Sequence, residues 1–228
     1  MEVRLISYSK PTLPFINEGG IASDNMQDLV AYCARVSNPA NQMNTETSEK
    51  LIKYLIKNAH WSPLEMVNAC LEIKTTRDIA HQIVRHRSFA FQEFSQRYAN
   101  PEEQGDMFEY SEARLQDTKN RQNSIEVEDK KLQQEWDWAQ RRIAVLAKKE
   151  YDWAIKKGIA KEQARKVLPE GLTKTTLYMN GTLRSWIHYI DLRGANGTQK
   201  EHMEIAHSCA EVIASIFPMT NELRYSSP

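Results

Sequence analysis

Arg85, His86 and Arg87 are followed by Glu93, Ser95 and Arg97, an acceptor, a hydroxyl and a third guanidinium, among the rings of Phe89, Phe91, Phe94 and Tyr98. Guanidinium forks match phosphate oxygens and stack on flat rings. The composition therefore suits a pocket for an anion carried on a planar ring. If residues 92–98 are extended, Glu93, Ser95 and Arg97 project to one side. Arg97 and Ser95 would then meet phosphate or sugar, and Glu93 a donor. The same composition fits a solvated basic face or a platform for single-stranded nucleic acid.

Positioning this segment requires a helix before it. Ile79, Ile83 and Val84 follow the helical period, Asp78 sits early where the helix dipole favours a carboxylate, and Gln82, Arg85 and His86 share the other face. Upstream, Val67, Ala69, Leu71 and Ile73 alternate with polar residues as a half-buried strand, and Val3, Leu5 and Ser7 mark a first strand. Residues 11–24, with Pro11, Pro14, Gly19 and Gly20, read as a loop. A helix is expected from Met26 or Gln27 to Arg35 with Asn25 as N-cap, and another from Thr45 with Leu51, Leu55 and Ile56 inward.

Residues 99–123 are polar and read as a long surface loop. A long helix follows over 125–157, with Leu132, Trp136, Ala139, Ile143 and Leu146 as its seam, Trp138 and Trp153 off it, and Gly158 as C-cap. Such a seam makes a core or a subunit interface. A short helix over 164–168, a strand over 173–179 and helices over 183–192 and 201–217 complete the chain. The expectation is one α/β (α+β) domain over residues 1–228, with a central mixed sheet flanked by helices including one long helix.

The bulk composition narrows function. The 228 residues carry 30 basic and 30 acidic side chains, where a dedicated nucleic-acid binder would show a basic excess. No apolar run approaches membrane-spanning length, and no signal-peptide pattern opens the chain. Cys33, Cys70 and Cys209 form no Cys-x-x-Cys, which argues against a disulfide framework or zinc site and suits the cytoplasm. His202 and His207 lie about 140° apart round a helix, as do His81 and His86, so no metal site is expected.

A second patch, His60-Trp61-Ser62-Pro63-Leu64-Glu65, gathers His, Ser and Glu on a turn entering a strand. Further on stand Ala164-Arg165-Lys166-Val167-Leu168-Pro169, and then Arg184 and His188, helical neighbours at i and i+4, with Arg193 at the helix end. Arg-His-Arg, seven residues, Ser, then Arg-Tyr resembles the signature of the flavin-dependent thymidylate synthases. The segment His60 to Glu65 resembles that family's His-x-(Ser/Thr)-Pro-x-Glu. Ala34-Arg35-Val36-Ser37, Ala164 to Pro169 and Leu183 to Arg193 resemble three further blocks. After Arg193 the chain departs from the family: the stretch Gly194 to Ile205 is longer, and Gln199 and His202 receive no implied role.

The resemblance implies reductive methylation of dUMP to dTMP, with methylenetetrahydrofolate as carbon donor, FAD as redox carrier and NADPH as reductant. FAD contacts are implied at Ser37, His60, Ser62, Glu65, Arg85, His86, Arg87, Glu93, Arg184 and His188. Contacts to dUMP are implied at Gln82, Arg85, Glu93, Ser95, Gln96, Arg97, Arg165 and Arg193. Arg193 is the catalytic candidate, stabilising negative charge on the activated pyrimidine. No cysteine sits in a recognisably activated setting, and a flavin route leaves the protein to bind, orient and polarise. Ser95 has no base placed beside it and is assigned to binding. A homotetramer with sites shared between subunits is also implied. Two readings compete: a non-enzymatic nucleotide or single-stranded RNA binder, and a flavoprotein of this fold with a different methyl or hydride acceptor.

Overall fold

The computed structural model describes residues 2–219. In chain order it holds β1 (Glu2–Tyr8), α1 (Leu13–Asn17), α2 (Met26–Ala34), α3 (Ser48–Lys57), β2 (Asn68–Thr76), α4 (Arg77–Ile83) and β3 (Phe89–Glu93). There follow β4 (Arg114–Gln116), β5 (Ser124–Glu126), α5 (Lys130–Lys156), α6 (Lys161–Ala164), β6 (Lys174–Thr182), α7 (Leu183–Gly194) and α8 (Lys200–Ala214).

The expected α/β architecture with one long helix is present. The sheet runs β1-β2-β6-β3, and every pairing in it is antiparallel, so it is not mixed. Alternation dictates its two faces. Ala69, Leu71 and Ile73 of β2 and Leu177 and Met179 of β6 are buried among Ile79, Ile83, Trp186, Ile190, Ile205 and Ile213 of α4, α7 and α8. The other face is polar: Glu72 accepts from Tyr178 Oη at 2.9 Å and pairs with Arg4 at 2.9 Å.

Helix ends follow capping chemistry. Asn25 caps α2 through Gln27 N at 2.8 Å, Asp129 caps α5, and Gly158 takes φ 77° beyond it. At the end of α3, Ala59 takes φ 56° while His60 N donates to Leu55 O, a left-handed cap that sets the direction of the His60 turn.

Several expectations need correction. Residues 11–24 include the short helix α1. The expected start near Thr45 falls at Ser48, with Thr47 at the N-cap position. Residues 99–123 are not a featureless loop. Asn100 caps a short 3-10 turn, Pro101–Gln104, and β4 pairs with β5 in a small hairpin. Ile125 lies in that hairpin, so the long helix starts five residues later.

The α5 seam is also rotated. Gln140, Ala144, Ala147, Tyr151 and Ala154 face inward, whereas Trp136, Ile143 and Leu146 are exposed. Small residues let α5 approach the short helices, and Gln140 is held by Ser111, whose N–H it accepts at 2.9 Å. Periodicity alone located a stripe of large apolar residues but could not tell an inner stripe from an outer one.

Candidate active site

The helix α4 ends at Ile83, so Arg85, His86 and Arg87 lie on the turn between α4 and β3 rather than on the helix. That turn crosses α7. His86 Nε2 accepts from Arg193 Nε at 2.8 Å, its ring meets Tyr189 edge-on at 5.0 Å, and Ser88 O accepts from Ser185 Oγ at 3.2 Å. Phe89 locks the turn down, edge-on to Trp186 at 4.8 Å. It lies over Gly181, where a Cβ would stand 2.3 Å from Phe89 Cδ1. The expected helix face shared by Gln82, Arg85 and His86 is not formed, since only Gln82 lies on the helix; Gln82 and His86 nonetheless reach the same buried ring, with His202 Nδ1 3.2 Å from Gln82 Oε1 and the His86 and His202 rings 6.4 Å apart. Arg85 and Arg87 are exposed and have no ion-pair partner among the described residues.

Electrostatics here hold imidazoles neutral. Burial and then the Arg193 guanidinium push His86 down to about 4. Burial, Arg193 and His86 push His202 down to about 3. Burial raises the Tyr189 phenol well above its ordinary range. A neutral His86 that accepts at Nε2 carries its proton on Nδ1.

A second group lies along the other side of α7. The Ser62–Glu65 turn packs between α2 and α7. Glu65 pairs with Arg184 at 2.6 Å, and Trp61 stacks at a tilt on His188 with centroids 4.5 Å apart. Burial, then Arg184, lowers the His188 pKa. His60 and Ser62 are exposed on the same turn, and Ser37 is exposed just beyond α2. Its neighbour Arg35 is buried, tied to Asn44 O and Thr47 Oγ1.

The third group stands at the opposite end of α4. The strand β3 stops at Glu93, and residues 95–99 turn, with Tyr98 and Ala99 N–H groups donating to Ser95 O. Glu93, Ser95 and Arg97 therefore do not line one side of a strand. The pairing with β6 carries the chain only as far as Phe94, and Pro101 lies just beyond the turn. Glu93 turns inward instead, accepting from Thr175 Oγ1 at 2.9 Å and pairing with Arg77 at 3.1 Å. Arg77, Gln96 and Arg165 line a cavity of about 250 Å³ with Lys166 and Glu170. Gln96 is buried and its Nε2 has no partner among the described residues. Arg97 is exposed, 3.6 Å from Glu162 and beside the Tyr98 ring.

The chain thus joins Gln82, His86 and Arg193, joins Glu65 with Arg184 and His188 with Trp61, and joins Gln96 with Arg165, but keeps the last group a helix length from the first. Sequence reasoning missed Arg77, whose signal was its place one residue before Asp78 at a helix start. It also left Gln199 and His202 unassigned. Among the described residues no cluster of three or more His, Cys, Asp or Glu side chains is placed to hold a metal ion, and no helix is long and apolar enough to cross a membrane.

Residues 21–219 match the family described as Thymidylate synthase complementing protein, Thy1. The chain is 47% identical over 218 residues to a probable flavin-dependent thymidylate synthase of Paramecium bursaria Chlorella virus 1, covering 96% of each. It is equally similar, 47% over 218 residues and 96% of each chain, to the flavin-dependent thymidylate synthase of Synechocystis sp.. Among solved structures, a UMP/dUMP methylase, PolB, from Streptomyces cacaoi shares the fold with a TM-score of 0.75 at 24% identity, covering 97% of this chain and 93% of that one.

Proposed function

The chain belongs to the Thy1 family and is a flavin-dependent thymidylate synthase, and from that premise we propose how its residues divide the work. The substrate is dUMP, the carbon donor methylenetetrahydrofolate and the reductant NADPH. The observation that carries the division is the contact between Arg193 and His86, which brings the Arg-His-Arg turn against the end of α7.

The donor set suits FAD. Arg85 and Arg87 offer exposed guanidinium groups without ion-pair partners among the described residues, as a pyrophosphate needs. His60, Ser62, Glu65, Arg184 and His188 line one side of α7, with Ser37 beyond α2, and Trp61 on His188 gives a flat ring an aromatic wall. The chemistry FAD supplies when bound is redox, carrying reducing equivalents from NADPH to the transferred one-carbon unit.

Arg165 and Gln96, with Ser95 and Arg97 on the neighbouring turn, bind the phosphate end of dUMP. A buried Gln96 Nε2 without a partner among the described residues and two guanidinium groups around one cavity support this. Gln82 and Arg85 contact the pyrimidine side. Arg193 donates to a pyrimidine carbonyl oxygen and stabilises charge there. His86, neutral, holds the Arg193 fork in place. Glu93 is held through Oε1 by Arg77 and Thr175, which leaves Oε2 for dUMP or flavin.

The phosphate group and the His86–Arg193 group sit at opposite ends of α4, and Arg184 and Arg193 leave α7 on opposite sides. Both features suit sites completed between subunits of a homotetramer. The exposed apolar stripe of α5 suits the contact. The free thiols Cys33, Cys70 and Cys209 suit the cytoplasm.

The test is an absorbance spectrum with and without added FAD, followed by dUMP titration. Flavin bands that stay with the protein and shift on adding dUMP are expected. A colourless protein indifferent to FAD would overturn the assignment, and flavin bands blind to dUMP would overturn the shared pocket.

A further inference from the structure

Gln199 and His202 lie in the stretch after Arg193, and both reach Gln82. His202 is fully buried and neutral, so one ring nitrogen donates and the other accepts. Its Nδ1 is 3.2 Å from Gln82 Oε1, and its Nε2 is 3.2 Å from the Tyr189 hydroxyl. Gln82 Nε2 donates to Gln199 Oε1 at 2.7 Å. Gln199 Nε2 donates to Glu201 Oε2 at 3.1 Å. The other Glu201 oxygen accepts from Arg114 Nη2 at 2.6 Å.

One end of this chain sets the direction of all of it. A carboxylate only accepts. Glu201 therefore requires the Gln199 amino group, which turns Gln199 Oε1 to Gln82. Gln82 must then donate with Nε2 and accept with Oε1. His202 must carry its proton on Nδ1, and Nε2 takes the Tyr189 O–H. Reversing any link sets two acceptors or two donors face to face, and at the buried His202 end it leaves polar atoms unpaired.

We infer that Gln199, Glu201 and His202 are positioning residues that fix the Gln82 carboxamide in one of its two orientations, leaving its second N–H for an oxygen of the pyrimidine. The inference rests on the reading of Gln82 as a dUMP contact. A carboxamide free to turn over would offer an oxygen there half the time and recognise the ring less well.

The test exploits direction. Gln199→Glu sets a carboxylate against Glu201 and breaks the chain at that link. The double variant Gln199→Glu/Glu201→Gln restores it, because the new amide donates to the new carboxylate, which still accepts from Gln82. The single variant should raise KM for dUMP about tenfold while kcat and flavin absorbance hold. The double variant should recover most of that loss. A single variant at wild-type KM would overturn the inference, as would single and double variants equally impaired. Gln82→Ala separates the premise: if it leaves KM for dUMP unchanged, the substrate reading of Gln82 fails and the inference with it. If it raises KM while Gln199→Glu does not, only the inference fails.

Discussion

Arg193 donates its Nε–H to Nε2 of His86 across 2.8 Å, joining residues that are 107 positions apart in sequence. The contact requires an unprotonated Nε2, because an imidazolium would set two donors face to face.

The first prediction is therefore a pH dependence. His86 and His202 are held down to about 4 and about 3, against an ordinary value of 6.5. Between those values the unfolded chain binds protons that the native chain refuses, so stability is greatest above pH 6.5 and falls as pH drops through 6.5 toward 4. The melting temperature should decline from pH 7 to 5.5, and two of the six histidines should show no titration by NMR between pH 5 and 8. Six ordinary titration curves would contradict the neutral pair.

Replacing Arg193 by Lys keeps a charge and loses the planar fork that can hold His86 and reach the substrate together. Turnover should fall about 100- to 1000-fold, the loss typical of one donor to a developing charge. FAD affinity should hold. Steady-state kinetics beside flavin titration would separate the two, and a variant that loses flavin in proportion to activity would reassign Arg193 to cofactor binding.

The candidate site could be named from the sequence because the signature residues are close together and their order is specific, and the structure brings His86 of that signature against Arg193. Ala69, Leu71 and Ile73 announced their strand by alternation, and Asn25 announced its helix by capping. What failed were inferences that needed tertiary context. The extended reading of Ser95 and Arg97 failed because the chain turns at Ser95, whose carbonyl takes the Tyr98 and Ala99 N–H groups, although β6 itself runs on to Lys174. The α5 stripe faced outward because Ala144, Ala147 and Ala154, small enough for close helix contact, took the inner side. Gln199 and His202 were illegible because their partner, Gln82, lies over a hundred residues away.

The Gln96–Arg165 cavity should govern dUMP and not flavin. Arg165→Ala removes a charge-assisted contact worth about 1.5–3 kcal/mol, so dUMP affinity should fall about 10- to 100-fold. Arg97→Ala should also weaken dUMP far more than FAD. Calorimetric titration of each ligand into each variant checks this; equal loss of both ligands would place these arginines elsewhere.

Gly181 should tolerate no side chain. A Cβ there would stand 2.3 Å from Phe89 Cδ1, and Phe89 is wedged against Trp186. Gly181→Ala should cost about 1–3 kcal/mol, as overpacking does, and lower the melting temperature by about 2–10 °C for a chain of this size. Because Phe89 anchors the Arg-His-Arg turn, flavin affinity should fall as well. A variant that melts with the wild type and keeps its flavin would show that the ring has room to move.

The α5 stripe gives the last prediction. Trp138, Val145, Leu146 and Trp153 are each more than half exposed in the single chain, and a stripe of that kind calls for a partner. If four subunits share their sites, light scattering at micromolar concentration should give about four times the 26.4 kDa of one chain. Leu146→Glu sets a charge in the stripe, where burying it without a counter-ion is costly. The variant should run at lower mass, and its activity should fall with the mass because the Arg165 group and the His86 group would no longer meet. Retained helical signal by circular dichroism would show that the subunit itself survives. A wild-type monomer would remove the shared site, and a smaller but fully active variant would show that each subunit completes its own.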